Sequence, residues 1–70
     1  MVIEVFKTNV QEPAAAQRLV GILQQHYFNC KINFDLSDCD RILRVEGENI
    51  CPRTIGEIIN NCGYQCEVLE

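Results

Sequence analysis

The middle of the chain contains two short segments in which apolar and polar residues alternate. In residues 31–36 every second side chain is apolar, and residues 41–46 resume the same pattern. A period of two is typical of strands that bury one face and expose the other to water. The residues between these segments, 37–40, are of the types that favour a turn. The sequence therefore predicts an antiparallel hairpin, and the rest of the chain must cover one of its faces.

The position of the turn determines which residues of the two strands face each other. A turn centred on residues 39–40 would place Leu36 opposite Leu43 and Phe34 opposite Val45. This register sets apolar residues beside apolar residues on the covered face, as the period of two requires.

A helix is predicted on each side of the hairpin. Pro13 and Pro52 suit the first turn of a helix, because the N–H that proline lacks would have no helical partner there. After each proline, apolar residues recur at steps of three and four, the spacing of one buried helical face. These residues are Ala16, Leu19, Val20, Leu23 and Tyr27 in the first helix and Ile55, Ile58, Ile59 and Cys62 in the second. The small Gly21 suggests that the first helix approaches the sheet closely.

Two outer strands complete the pattern. Residues 1–10 are rich in β-branched and aromatic side chains, and residues 65–69 form a short last strand. The order strand, helix, strand, strand, helix, strand, with right-handed crossovers, predicts an α+β ferredoxin-like βαββαβ fold: a four-stranded antiparallel sheet with two helices on one face. Because 70 residues support one thin hydrophobic core, residues 1–70 form a single domain.

Composition and charge limit the classes of function. The formal net charge is −4 and the six basic residues are spread along the chain, so nucleic acid and membrane surfaces are poor partners. No run approaches the roughly 18 apolar residues of a membrane helix, and no signal peptide is recognisable. Five cysteines without an export signal favour reduced thiols and a cytoplasmic location. With no phosphate loop and no nucleophile framed by a histidine, we expect a protein that is not an enzyme.

Three segments, residues 6–10, residues 35–45 and the Gly63-Tyr64 pair, follow one another in an order and spacing that resemble a known family. The chain is similar over essentially its whole length to heavy-metal-associated domains, the fold of small copper chaperones and of the amino-terminal modules of metal-transporting ATPases. This resemblance implies the ferredoxin-like fold, a role related to metal ion transport, and a protein partner such as a metal-transport component.

The metal motif of that family is absent from this chain. The family binds Cu(I) at a Met-x-Cys-x-x-Cys turn, whereas Val10, Glu12 and Ala15 occupy the three positions here. Two thiolates on one turn suit Cu(I) because it prefers soft ligands, and a carboxylate with a methyl group cannot replace them. The first hypothesis is therefore a monomeric protein-interaction module with a degenerate metal site and no bound cofactor.

A second hypothesis is a displaced metal site. In the predicted fold the first, third and fifth connections share one end, which places Glu12, Cys39 and Cys62 together with Cys66 just inside. Cys39, Cys62 and Cys66 could supply three soft ligands for Cu(I) or Zn(II), with Glu12 as a fourth. The simpler interpretation is that Cys62 and Cys66 are buried core residues.

The opposite end of the predicted fold would hold His26, Cys30 and Cys51. The predicted register sets Cys30 near Asn49, and so near enough to Cys51 for a disulfide under oxidising conditions or, with His26, for a metal contact. A third hypothesis for the whole chain is a regulatory module for a small ligand, because ferredoxin-like sheets also serve in that role. Nothing in the sequence selects a ligand for it.

Overall fold

The strands and helices follow one another in the predicted order along residues 2–69, the part of the chain that the computed structural model describes. The elements are β1 (Val2–Thr8), α1 (Pro13–His26), β2 (Lys31–Asp35), β3 (Ile42–Gly47), α2 (Pro52–Asn61) and β4 (Cys66–Val68). All pairings are antiparallel and the strand order is β2-β3-β1-β4, so β2 and β4 form the edges of the sheet. The predicted α+β ferredoxin-like fold is confirmed. Met1, which the first predicted strand included, lies outside the described residues.

Both helices pack on the same face of the sheet. The side chains that are at most 2% exposed come from both helices, from one position of β1 and from alternate positions of β3; they include Leu19, Leu23, Ile55, Ile59, Phe6, Leu43 and Val45. They form one cluster, and each contributes roughly 1.5–3 kcal/mol by leaving water. The helical spacing therefore predicted the inner face of α1 correctly, with Val20 at its partly buried margin. Tyr27 is also partly buried but follows the helix as its C-cap residue.

The hairpin register differs from the expected one. Leu43 faces Phe34, and Val45 faces Ile32, so each residue of β3 lies opposite a residue two positions earlier in β2 than predicted. The assignment of faces was right, because a shift of two keeps every side chain on its side of the sheet. The predicted pairing of Leu36 with Leu43 was wrong, since β2 ends at Asp35.

The end of β2 has a specific cause in the side chain of Asp35. Its Oδ1 accepts hydrogen bonds from the Ser37 N–H (3.2 Å) and from the Ser37 hydroxyl (2.6 Å). Such a bond to the backbone two residues ahead bends the chain out of the strand. The Ser37 hydroxyl also lowers the pKa of the Asp35 carboxyl, which keeps this acceptor ionised. The connection therefore spans residues 36–41 instead of the four-residue turn that the sequence suggested.

Close packing occurs at a different glycine from the one expected. Gly21 is exposed, and a Cβ added to it would meet no atom within 4 Å, so the predicted close approach of α1 at this residue was wrong. At Gly47 a Cβ would lie 2.5 Å from the Sγ atom of buried Cys30. Cys30 therefore lies beside Gly47 and not beside Asn49, because the true register brings the start of β2 to the end of β3.

Candidate functional site

Three loops meet at one end of the sheet, which we call the loop end. They are the connections β1–α1 (residues 9–12), β2–β3 (residues 36–41) and α2–β4 (residues 62–65). This is the end at which the resemblance to heavy-metal-associated domains predicted the position of the metal turn. Its geometry is therefore the best guide to what this chain can bind.

Hydrogen bonds from the end of β1 join the three loops. The Thr8 N–H donates to the Asp40 carbonyl (3.1 Å), and the Thr8 hydroxyl donates to the Arg41 carbonyl (2.6 Å). On the other side, the Gln65 N–H donates to Oδ1 of Asn9 (2.8 Å). Thr8 is only 7% exposed, so its bonds are shielded from competition with water. The loops are thus fixed to one another by groups of the protein itself.

The β1–α1 loop lies where the resemblance predicted a metal turn. Val10 is fully buried, and its N–H donates to the Thr8 hydroxyl (3.3 Å). Glu12 is the exposed N-cap residue of α1, yet its side chain forms no capping hydrogen bond. Ala15 is 5% exposed and belongs to the core. This turn offers one solvated carboxylate and no soft ligand, so it does not fit Cu(I).

The β2–β3 loop is wound tightly on itself. The Asp40 N–H donates to Oδ1 of Asp38 (2.9 Å), and the Arg41 N–H donates to the Asp38 carbonyl (3.1 Å). Arg41 adopts φ 47°, a left-handed conformation that is uncommon outside glycine. Its guanidinium donates to the Leu36 carbonyl, and Lys7 Nζ lies 3.9 Å from Oδ1 of Asp40. Asp38 accepts the two hydrogen bonds from the Asp40 and Arg41 N–H groups within the loop and remains exposed to solvent.

The three thiols proposed as a displaced metal site do not gather around one point. Among residues 2–69, the three ligand atoms that lie within 4.8 Å of one another belong to Asp38, Cys39 and Asp40. Cys62 and Cys66 are not part of that group. Cys39 and Cys62 are exposed, and Cys66 is partly buried. A metal at Cys39 in this arrangement would find carboxylates, and not thiolates, as its nearest further ligands.

The expectation that Cys62 belongs to the core was wrong. Helix α2 ends at Asn61, and its buried residues are Ile55 and Ile59. Cys62 is the C-cap residue, with φ −86° and ψ 0°, and it is exposed. The apolar spacing continued through Cys62 in the sequence, but the helix ends before that residue could reach the sheet, and Gly63 turns the chain away with φ 94°.

Two thiols differ in how readily they ionise. Burial, with a further contribution from the charge of Glu67, raises the pKa of the Cys66 thiol to about 11. Cys51 is the exposed N-cap residue of α2. Its neutral side chain forms no capping bond, but its thiolate would accept hydrogen bonds from the Thr54 hydroxyl and N–H, which lowers the pKa of Cys51. The raised pKa of Cys66 makes this thiol a poor ligand near neutral pH, because it stays protonated there.

The second grouping, at the opposite end, is only partly assembled. His26 and Cys30 line a shallow pocket of about 230 Å³ together with Glu48 and Asn49. Cys51 does not line this pocket. All five cysteines are unpaired. The pocket therefore presents one imidazole beside a buried thiol and lacks the third member of the expected trio.

Sequence reasoning missed Thr8 and Asn9, the two residues that join the loops. The two carbonyls to which Thr8 donates lie in the β2–β3 loop, and the partner of Asn9 follows α2. A polar pair at the end of a strand was the only available signal, and such pairs are common at strand ends. Their role became visible only when the distant loops were placed beside them.

Comparison with known proteins adds no relative from which a role could be transferred. No protein-family model matches the chain, and neither curated proteins nor solved structures give a match. Among residues 2–69, neither helix combines the length and the apolar character that crossing a membrane requires. The fold and the loop end together define a small ferredoxin-like α+β domain whose loops are held by its own hydrogen bonds.

Proposed function

We propose that this chain is a non-enzymatic interaction domain, related to heavy-metal-associated domains, that docks on a protein partner through its loop end and does not transport Cu(I). The family relationship rests on the order of the sequence segments and agrees with the observed fold. The proposed compartment is the cytoplasm, where five unpaired thiols would remain reduced.

The observation that supports this function most strongly is the ordering of the loops by hydrogen bonds of the protein itself, with no cysteine in the β1–α1 loop. Thr8 binds the β2–β3 loop through two hydrogen bonds, and Asn9 binds the residue before β4. A docking surface gains affinity when its loops are ordered before binding, because less conformational entropy is lost on association. The loop end meets that requirement with hydrogen bonds between its own residues.

The charge of the loop end indicates the kind of partner. Glu12 and Asp38 are exposed carboxylates, whereas Lys7 lies beside Asp40 and the Arg41 guanidinium donates within its own loop. The chain as a whole has a formal charge of −4. Opposite charge on a partner would speed association and orient it. We therefore propose a partner with a basic surface, such as a component of a metal-transport system.

The loss of copper transport is tested by titration with Cu(I) in reducing buffer against a competing chelator. The wild-type chain is expected to leave Cu(I) with the chelator. The variant Glu12→Cys/Ala15→Cys, which restores two thiols at the family's positions, is expected to take up one Cu(I) ion per chain if the scaffold is that of the family. This variant is the positive control for the competition conditions.

A stoichiometric complex with the wild-type chain would contradict the proposal. If that complex were lost in Cys39→Ser or Cys62→Ser, the displaced site would replace the interaction domain as the function. If both single variants kept the metal, the ligands would lie elsewhere and the proposal would still be overturned. Amide chemical shifts recorded during the titration would locate the residues involved.

Docking is tested with a photo-crosslinking amino acid placed at Glu12 in the native host. The control carries the same amino acid at Glu48, which is also exposed but lies between β3 and α2 at the opposite end. We expect a crosslinked partner from position 12 that is absent from position 48 and lost when Asp38→Lys reverses a charge of the loop end. Equal crosslinking from both positions would contradict docking through this end.

A further inference from the structure

Strand β2 is an edge of the sheet, and its outward-facing main chain can be identified. The Leu69 N–H donates to the Val5 carbonyl (2.8 Å), so Val5 directs its main-chain groups toward β4. Successive residues of an antiparallel strand direct these groups to alternate sides. From Val5, the register of β1 with β3 and that of β3 with β2 determine the direction of the main-chain groups of each residue in β2. Asn33 faces β3, whereas the N–H and carbonyl groups of Ile32 and Phe34 face away from the sheet.

The carbonyls that flank this stretch are already occupied by side chains. The Gln24 amide donates to the Cys30 carbonyl (3.0 Å), and the Arg41 guanidinium donates to the Leu36 carbonyl. Both carbonyls belong to the same alternating set as those of Ile32 and Phe34, which supports the assignment of directions. Outside the sheet, the hydrogen bonds of residues 2–69 include none to the main chain of Ile32 or Phe34. A short stretch with two donors and two acceptors is therefore open for another strand.

The side chains of β2 are complementary to a second copy of β2 in antiparallel orientation. The sequence Lys31-Ile32-Asn33-Phe34-Asp35 has opposite charges at its two ends and apolar residues on either side of its centre. Pairing two copies about Asn33 places each Lys31 opposite Asp35 of the other copy. It also places Ile32 opposite Phe34 of the other copy, so that their outward main-chain groups bond to one another.

Ile32 and Phe34 can bond only to residues whose main-chain groups also face outward. The pairing must therefore be centred on a residue, because a centre between two residues would set Ile32 and Phe34 opposite residues that face β3. A pairing centred on Ile32 would set Lys31 opposite Asn33, and one centred on Phe34 would set Asn33 opposite Asp35. Of the three, only the pairing centred on Asn33 matches opposite charges. Opposite charges directly across two strands are stabilising, and like charges there are destabilising.

We propose that two copies of this chain form a homodimer by antiparallel pairing of their β2 strands about Asn33, giving one continuous sheet with four strands from each copy. The ends of each β2 carry an exposed Lys31 and an exposed Asp35, and Ser37 already orients the Asp35 carboxylate. The proposal replaces the monomer expected from the sequence. It goes beyond the proposed function, because β2 is an edge of the sheet and not part of the loop end.

An apolar groove beside β2 supports the same occupant. It has a volume of about 350 Å³ and lies between α1 and β2, with Ala16 and Val20 on one side and Ile32 and Phe34 on the other. Pairing about Asn33 would bring the apolar face of the second β2 next to this groove. The dimer would therefore remove apolar surface from water while satisfying the edge hydrogen bonds.

The test uses sedimentation velocity at increasing protein concentration. The wild-type chain is expected to shift from monomer to dimer, and Lys31→Asp and Asp35→Lys are each expected to weaken association at least about tenfold, because each creates two like-charge pairs. An equimolar mixture of the two variants is expected to regain the dimer, because both cross-strand pairs are then opposite in charge. Arg53→Asp, which makes the same charge change as Lys31→Asp but on α2, is the matched control and should dimerise as the wild type does.

Several results would overturn this proposal. A wild-type chain that stays monomeric at the highest concentration would contradict the dimer. The edge of β2 would then be available to a strand of another protein. Dimerisation of Lys31→Asp equal to that of the wild type would place the interface elsewhere. Failure of the mixed variants to associate, with circular dichroism showing both folded, would exclude this register. The Cu(I) titration is independent of all these outcomes, so the proposed function can fail or hold separately.

Discussion

Replacing Gly47 with alanine is expected to lower the free energy of unfolding by about 1–3 kcal/mol, the usual cost of adding atoms to a packed interior. The new Cβ would lie 2.5 Å from the Sγ atom of Cys30 and 3.2 Å from its Cβ. Cys30 is buried, and it cannot move away without displacing its neighbours. The backbone of Gly47 is not left-handed, so the expected loss comes from the contact and not from its conformation. Urea denaturation measures it.

Two companion variants distinguish this contact from a general effect of losing a glycine. Gly21→Ala, in α1, would meet no atom within 4 Å, so it is expected to raise the free energy of unfolding by up to about 1 kcal/mol. Gly47→Ala combined with Cys30→Ala removes the clashing sulfur, and the double variant should be more stable than Gly47→Ala alone. Additive losses in the double variant would show that the sulfur contact is not the cause.

Replacing Thr8 with valine is expected to cost about 2–3 kcal/mol of stability, since it keeps the shape of the side chain and removes the hydroxyl. That hydroxyl donates to the Arg41 carbonyl (2.6 Å) and accepts from the N–H of Val10 (3.3 Å). Both partners would lose a hydrogen bond at a position that is only 7% exposed. Urea denaturation gives the loss, and hydrogen exchange at the Val10 amide should become faster.

Thr8→Ser is the matched control, because it keeps the hydroxyl and removes only a methyl group. It is expected to lose about 1 kcal/mol and to leave exchange at Val10 close to that of the wild type. Equal stability of the valine and serine variants would show that the hydroxyl does not hold the loops together. In that case the ordering of the loop end, on which the proposed function depends, would need another explanation.

The sequence predicted most of the fold because its signals are local. Pro13 and Pro52 begin the two helices as expected, since proline at the first helical position needs no neighbour outside its own turn. Ile32, Leu43 and Val45 lie on the buried face as the alternation indicated. These predictions required only the geometry of one helix or one strand.

The errors arose where a decision depended on a side chain outside the repeating pattern. The Asp35 side chain bonds Ser37 and ends β2 one residue early, so the hairpin register moved by two residues. Cys62 continued an apolar spacing beyond the last turn of α2 and is exposed instead of buried. Neither the length of a turn nor the last residue of a helix follows from periodicity alone.

The sequence predicted at which end of the sheet the candidate site lies, but not which ligand atoms come together there. The topology put Glu12, Cys39 and Cys62 in loops at one end of the sheet, and the hydrogen bonds of Thr8 and Asn9 confirm that these loops meet. Whether their ligand atoms converge depends on side-chain directions that no spacing rule supplies. The ligand atom of Cys39 groups with those of Asp38 and Asp40, and this group includes no second thiol.

The sequence by itself determined the order of the elements, the buried faces of α1, β2 and β3, and the absence of cysteine from the first turn. These properties depend on residue type and on neighbours along the chain. Only the tertiary structure decided which loops are joined, which glycine is tightly packed and which strand edge is open. The bonds that join the loops link residues 33 positions apart, from Thr8 to Arg41, and 56 positions apart, from Asn9 to Gln65. Contacts at such separation exist only after the chain has folded, because no local pattern brings those groups together.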